Sequence, residues 1–252
     1  MEQLPGCIDN AIKNLSDSPT KIIGDLIKDA IYLKFGSVSY NAEKRRILEK
    51  YGLIELEKQL KAKIDSVPLK NLVTPDYQTF MITVDNLEPC INSEELRNLF
   101  TNLIARSCHS DYKPFIHPSF PETLKQMSPY DAKVLKFFID TKPDRLITYT
   151  YFNDSSYSDF DRIPYTFDLY PNQHESAYVS ISVSVLMRLG ILAFDDDAIV
   201  YPANDSPFKD SDFYKQCETE RLIEGKFLHS RISGKVCGLT PFGIALIQAC
   251  FD

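Results

Sequence analysis

The run Asn92–Asp140, NSEELRNLFTNLIARSCHSDYKPFIHPSFPETLKQMSPYDAKVLKFFID, decides the fold. Leu96, Leu99, Phe100, Leu103 and Ile104 recur at helical spacing and form one apolar stripe. Asn92 is placed to cap this helix, with Glu95 three residues on to complete a capping box. Ser119 and Glu122 repeat the pattern around His117-Pro118-Ser119-Phe120. Pro121 falls in a first turn, where amides lack intrahelical partners anyway. Ser128, Pro129 and Asp131 make a third start, with proline at the first helical position, and Val134, Leu135 and Phe138 supply its buried face. Three helix starts so close together predict a packed helical core.

Working outward toward the N-terminus, Ile23, Leu26, Ile27, Ala30 and Ile31 follow helical spacing between charged residues, an amphipathic helix. A longer helix is predicted from about Asn41 to Ile64, broken at Gly52 and stopped by Ser66-Val67-Pro68, and a short one from about Pro75 to Asp85. Toward the C-terminus, Arg145–Phe152 alternates like a strand, and residues 153–175 read as an acidic, aromatic loop. Ser176–Leu189 carries mixed signals and is read as a helix over at least 182–189, ended by Gly190. Residues 191–194 and 198–201 are expected to form a hairpin around Asp195-Asp196-Asp197. A helix is placed near Ser211–Cys217, a short strand at Lys235–Leu239, and a final helix capped by Thr240 with Pro241 at its start. The expected fold class is mainly α (α+β). A helical domain over residues 1–127 precedes a winged-helix-like module over 128–252, which has a small antiparallel β element and an insertion at about 143–175.

Composition narrows the function. Hydrophobic residues make up 44% of the 252 and charged residues 25%, ordinary for a globular chain. A net charge of -7 disfavours a nucleic-acid binder, which usually shows a basic face. The six cysteines include no C-x-x-C pair, so no zinc site is expected, and no secretory leader or membrane-spanning run is read. A cytoplasmic chain with reduced thiols is expected. Phosphate-binding glycine loops, the Gly-x-Ser-x-Gly elbow and HExxH are all missing from the sequence. No catalytic, cofactor-binding or metal residues are assigned, and no cofactor is expected.

Several of these strings resemble a known family. Leu96-Arg97-Asn98-Leu99-Phe100-Thr101-Asn102-Leu103-Ile104-Ala105 is similar to the "LRelFanLla" helix of the abortive infection alpha proteins of bacteria. His117-Pro118-Ser119-Phe120 matches that family's HPSF element, and Lys125–Lys136 resembles its "KQLSPLDAKILK" segment. Arg188-Leu189-Gly190-Ile191 and Leu239-Thr240-Pro241-Phe242-Gly243 fall where the family has RLGLI and LTxFG. The likeness runs from about residue 19 to the end. Val185 stands where the family tends to have Asn, which lowers the polarity of that helix. The resemblance implies a bacterial cytosolic protein linked to phage resistance, with no defined biochemical activity; together with the missing catalytic motifs it leads to the expectation of action through recognition of a phage or host protein. It transfers no catalytic residues.

The helix starts explain Ser119, Glu122, Ser128, Pro129 and Asp131. Arg97, His117, Phe120 and Arg188 are left as the candidate functional positions. Arg97 is expected to pair with a nearby acid or to bind an oxyanion. His117 is expected to bond a backbone carbonyl or to serve acid–base chemistry. Cys108 with His117 would be a nucleophile–base pair, but burial is the commoner fate of a cysteine. The Asp195–Asp197 run is read as a solvated turn before a cation site. The alternative function is a winged-helix DNA-binding regulator, for which Arg188 is the one cation on the 176–189 helix. A further reading is an enzyme using His117 and Arg97.

Overall fold

A computed structural model describes residues 23–25, 29, 43–141, 145–152, 160–167, 176–200, 219 and 229–251. Its described residues are mainly helical, with one antiparallel sheet. The chain divides into two compact units, residues 1–126 with 245–252 and residues 127–244. The expected helix near Ser211–Cys217 and the segment 1–19 lie outside the described residues. Of the amphipathic 20–31 segment, Ile23–Asp25 and Asp29 are helical, and Ile23 is buried.

In the first unit, α1 (Glu43–Asp65), α2 (Tyr77–Leu87), α3 (Glu94–Ser107) and α4 (Phe120–Lys125) pack together. The predicted stripe of α3 is buried, and so are Arg97, Thr101, Asn102 and Ser107. Burial on nearly every side makes α3 the central helix of this unit. Each fully buried Leu, Ile or Phe adds about 1.5–3 kcal/mol of gross hydrophobic stabilisation. The buried hydroxyls are satisfied within their own helices: Thr101 Oγ1 donates to Arg97 O at 2.6 Å and Thr83 Oγ1 to Thr79 O at 2.6 Å.

The helix starts differ from the sequence reading in two of three cases. Ser93, not Asn92, caps α3, accepting from Leu96 N at 3.3 Å, and Glu95 binds the Ser93 hydroxyl at 3.1 Å instead of closing a box on Asn92. The Ser119–Glu122 box does not form: Ser119 gives no side-chain cap, and Glu122 instead accepts from Asn86 Nδ2 at 2.8 Å. The third forms as expected. Asp131 N donates to Ser128 Oγ at 3.1 Å and Ser128 N to Asp131 Oδ2 at 2.7 Å, a reciprocal box with Asp at the third position. Gly52 does not break α1; the helix runs straight through it.

The second unit holds α5 (Pro129–Thr141), α6 (Ser176–Arg188) and the strands β1 (Arg145–Phe152), β2 (Phe160–Phe167), β3 (Leu192–Val200) and β4 (His229–Leu239). The sheet order is β2-β1-β4-β3, with all three neighbouring pairs antiparallel. α6 packs on α5, β2 and β3. Strand β2 lies inside the segment read as loop. Its pairing skips between Thr166 and Ile163, so Pro164 sits at a bulge on an edge strand, where a missing amide is tolerated. The expected hairpin around Asp195–Asp197 is also corrected: these residues lie within β3, where pairing jumps from Phe194–Cys237 to Ile199–Lys235. β4 begins six residues earlier than the predicted strand and pairs along the whole of β1.

The last helix, α7 (Pro241–Cys250), begins in the second unit and ends in the first. Its start is built from two distant strings. α6 ends in a Schellman motif: Gly190, with φ 72°, donates to Met187 O at 2.9 Å, and Ile191 N donates to Leu186 O at 2.9 Å. Thr240 then docks on that cap. Its amide donates to Ile191 O at 3.0 Å, its hydroxyl donates to Gly190 O, and its Oγ1 accepts from Gly243 N at 2.9 Å. Gly243 lies so close to Ile191 that a Cβ would fall on the Ile191 carbonyl.

Candidate functional site

The four candidate positions are divided between the two units. Arg97 and the His117–Phe120 turn belong to the first unit, and Arg188 to the second.

Arg97 sits one turn into α3 and is 8% exposed. Its Nη1 donates to Ile91 O at 2.8 Å, while its Nε–H is buried without a partner. The expected acid partner is not there: among the described residues no carboxylate pairs with it. The Ile91 carbonyl is held from the other side by α1. A Cβ on Gly52 would stand 2.9 Å from that oxygen and 3.1 Å from Asn92 Oδ1, so only glycine lets α1 pass. This contact, not a helix break, is the reason for Gly52. Gln59 Oε1 adds a 3.4 Å acceptor for Thr101 on the same pair of helices.

His117 is exposed, and among the described residues its ring binds neither a carbonyl nor a carboxylate. Its Nδ1 accepts from Ser119 N at 3.1 Å and lies 2.7 Å from Ser119 Oγ. The ring rests tilted on Phe120, 6.1 Å between centroids. A nucleophile and its base need the same reach. Here, however, Nδ1 is engaged by a backbone amide two residues on, and among the described residues no acid orients Nε2. The turn explains why Ser119 fails to cap α4: its hydroxyl is bound to the histidine. Phe120 itself is buried, an anchor for the start of α4.

Cys108 has no hydrogen bond to His117; its sulfur lies 4.0 Å from Ser107 Oγ. Burial pushes its thiol up to about 11, which leaves a protonated, poorly nucleophilic sulfur. Burial likewise pushes Cys237 up to about 12 and raises Cys90 and Cys250. No metal-ligating cluster of His, Cys, Asp or Glu occurs among the described residues.

Other polar side chains, not singled out in the sequence, brace the scaffold. Asn102 Nδ2 donates to Cys250 O at 2.7 Å, and Arg106 Nη1 donates to Gln248 O at 2.8 Å and Phe251 O at 2.7 Å. These donors satisfy carbonyls in the last turn of α7 and just past it, and the arginine charge complements the negative end of that helix. The spacing 102/106, one turn apart beside the apolar stripe, was the available signal. A paired-loop region was also unread. Val73 N donates to Cys108 O at 2.9 Å, Ser110 N to Asn71 O at 2.8 Å, and Lys113 Nζ to Thr74 O at 2.8 Å. Asn71 Nδ2 reaches both Asp111 oxygens at 3.1 Å. The Thr79 amide and hydroxyl hold the Asp76 carboxyl, at the start of α2, below the usual carboxylate range. The segments flanking this pairing leave large apolar side chains in solvent: Leu69, Tyr77, Tyr112 and Phe115, the last 60% exposed. Arg106 lies 5.3 Å over the Tyr112 ring, which His109 meets edge-on.

Arg188 is exposed in the last turn of α6. Tyr178, Ile181 and Ser184 share its outward face.

The abortive infection alpha family model matches residues 48–250. The chain belongs to the abortive infection alpha family. The match spans α3, the His117–Phe120 turn and both halves of the Gly190–Thr240 contact. No curated protein and no solved structure matches. No helix among the described residues is long and apolar enough to cross a membrane.

Proposed function

We propose that this chain acts in bacterial phage defence by abortive infection, in the cytoplasm, through recognition of a phage or host protein. Family membership supports the defence role. One observation carries the recognition reading: the hydrogen-bonded pair of loops at 69–77 and 108–116 displays Leu69, Tyr77, Tyr112 and Phe115 to solvent. Exposed aromatic side chains on a braced support are suited to protein contacts, since they bring large apolar area with little freedom to lose.

A winged-helix reading of residues 128–252 is favoured by the order β1-β4-β3 and by α6 leading into the β3–β4 pair. The α6 face that would enter a DNA groove offers Tyr178, Ile181 and Ser184 with Arg188, and the whole chain carries -7. That balance suits a protein surface better than phosphate.

The test is infection of bacteria expressing the chain. Plaque formation falls, and cultures collapse when most cells are infected yet survive when few are. Phe115→Asp with Leu69→Asp loses protection while melting temperature is retained. Unchanged plaquing across a broad phage panel removes the defence reading, and salt-sensitive binding to duplex DNA would favour the regulator instead.

A further inference from the structure

A buried cation is tolerated when it is paired, and a guanidinium taken out of water without an acid is costly. Arg97 is more than nine-tenths buried, yet among the described residues it meets no carboxylate. Its Nη1 is committed to Ile91 O, and that carbonyl is fixed between the α3 start and the Gly52 turn of α1. What is left is the opposite edge of the fork, with Nε–H shown buried and unpartnered. That edge presents two parallel N–H donors, Nε and Nη2, at the spacing of a carboxylate's oxygens. Among the described residues no nearby acid fills it. Glu95 accepts from the Ser93 hydroxyl, and Glu94, three residues before Arg97, is exposed.

We propose that Arg97 is the anchor of a carboxylate-binding position, in which a planar carboxylate pairs bidentately with the Nε–Nη2 edge while Nη1 stays on Ile91. The proposal deepens the partner-recognition reading by naming the chemistry recognised. A free small carboxylic acid and an acidic peptide side chain offer the same group. Since Nε is sealed from solvent, the carboxylate enters by displacing a neighbouring side chain, and the exchange is slow.

The test follows the Arg97 Nε–H resonance by NMR in the full chain, assigned with Arg97→Lys, during titration with acetate, a short glutamate peptide and inorganic phosphate. The expected result is a saturable change at Arg97, with slower exchange of its proton with water, and no such change at Arg106 or Arg188. Saturation by acetate identifies a free acid as sufficient, and saturation by the peptide alone identifies a peptide side chain. Arg97→Lys keeps the charge but loses the fork, and weakens binding about tenfold or more, followed at neighbouring backbone amides. Saturation by phosphate alone, equal changes at all arginines, no change, or unweakened binding by Arg97→Lys each overturns the site. None of these outcomes touches the plaque assay, so the defence reading stands or falls separately.

Discussion

The Thr240 hydroxyl donates to the carbonyl of Gly190, fifty residues earlier, and accepts from the amide of Gly243. One side chain thus closes the end of α6 and opens α7. Thr240→Val keeps the shape and removes both bonds. We expect a loss of about 1–2 kcal/mol in urea denaturation.

Gly243→Ala reverses a familiar sign. Alanine inside a helix normally stabilises by up to about 1 kcal/mol over glycine. Here the added Cβ falls on the Ile191 backbone, so destabilisation of about 1–3 kcal/mol is expected. Gly238 has nothing within 4 Å of such a Cβ. Gly238→Ala should shift stability by no more than about 0.5 kcal/mol, measured by the same midpoint.

The two serine starts should separate cleanly. Ser128→Ala breaks a reciprocal box and costs about 1 kcal/mol. Ser119→Ala removes no helix cap, so its cost stays below that of Ser128→Ala. Thermal melts of the two variants side by side check the order.

Asn102→Ala leaves the Cys250 carbonyl without its buried donor, at about 1–3 kcal/mol. Arg106→Ala frees the Gln248 and Phe251 carbonyls. Both variants should show faster amide exchange in α7 by hydrogen–deuterium exchange, while α2 keeps its protection.

The buried thiols set an alkaline limit. Cys108 is pushed up to about 11 and Cys237 up to about 12, from an ordinary 9.0. Between those values the unfolded thiol gives up its proton while the folded one keeps it, so stability falls as pH rises. Their contribution is complete below pH 9 and is lost as pH climbs through 11 to 12. At neutral pH, Cys108 in the folded chain should react with a thiol reagent roughly a hundredfold more slowly than in urea, from its thiolate fraction alone.

Apolar spacing made α3 and α5 legible, because burial of one stripe decides them. The caps were harder. Asn92 and Ser93 are both able to cap, and packing, not pattern, selects the second. Ser119 had the right neighbour in Glu122, but a local bond to His117 takes its hydroxyl first. In α6 the Val/Ser alternation imitates a strand. Yet Val179, Ser182, Val183 and Leu186 are buried while Ile181 is exposed, a helical division that period-two counting hides. β2 was unreadable because Pro164 spoils a strand pattern that an edge bulge accommodates. Arg97 and His117 were legible as positions that the helix starts do not need. Their surroundings were not, since an unpartnered Nε and a histidine bound to an amide depend on neighbours that spacing does not fix.

The pairing of β1 with β4 has a consequence for how the protein is made. Phe152 pairs with His229, so one edge of β1 stays unpaired until the ribosome has delivered the chain between them. At roughly 5–20 residues per second, that wait is on the order of several seconds. β2 can cover the other edge at once, through an early hairpin. During those seconds the nascent chain carries a half-finished sheet with an open strand edge, the form most prone to pairing with a neighbouring nascent chain. Slower synthesis between β2 and β4 lengthens the time that this edge stays open, and faster synthesis shortens it.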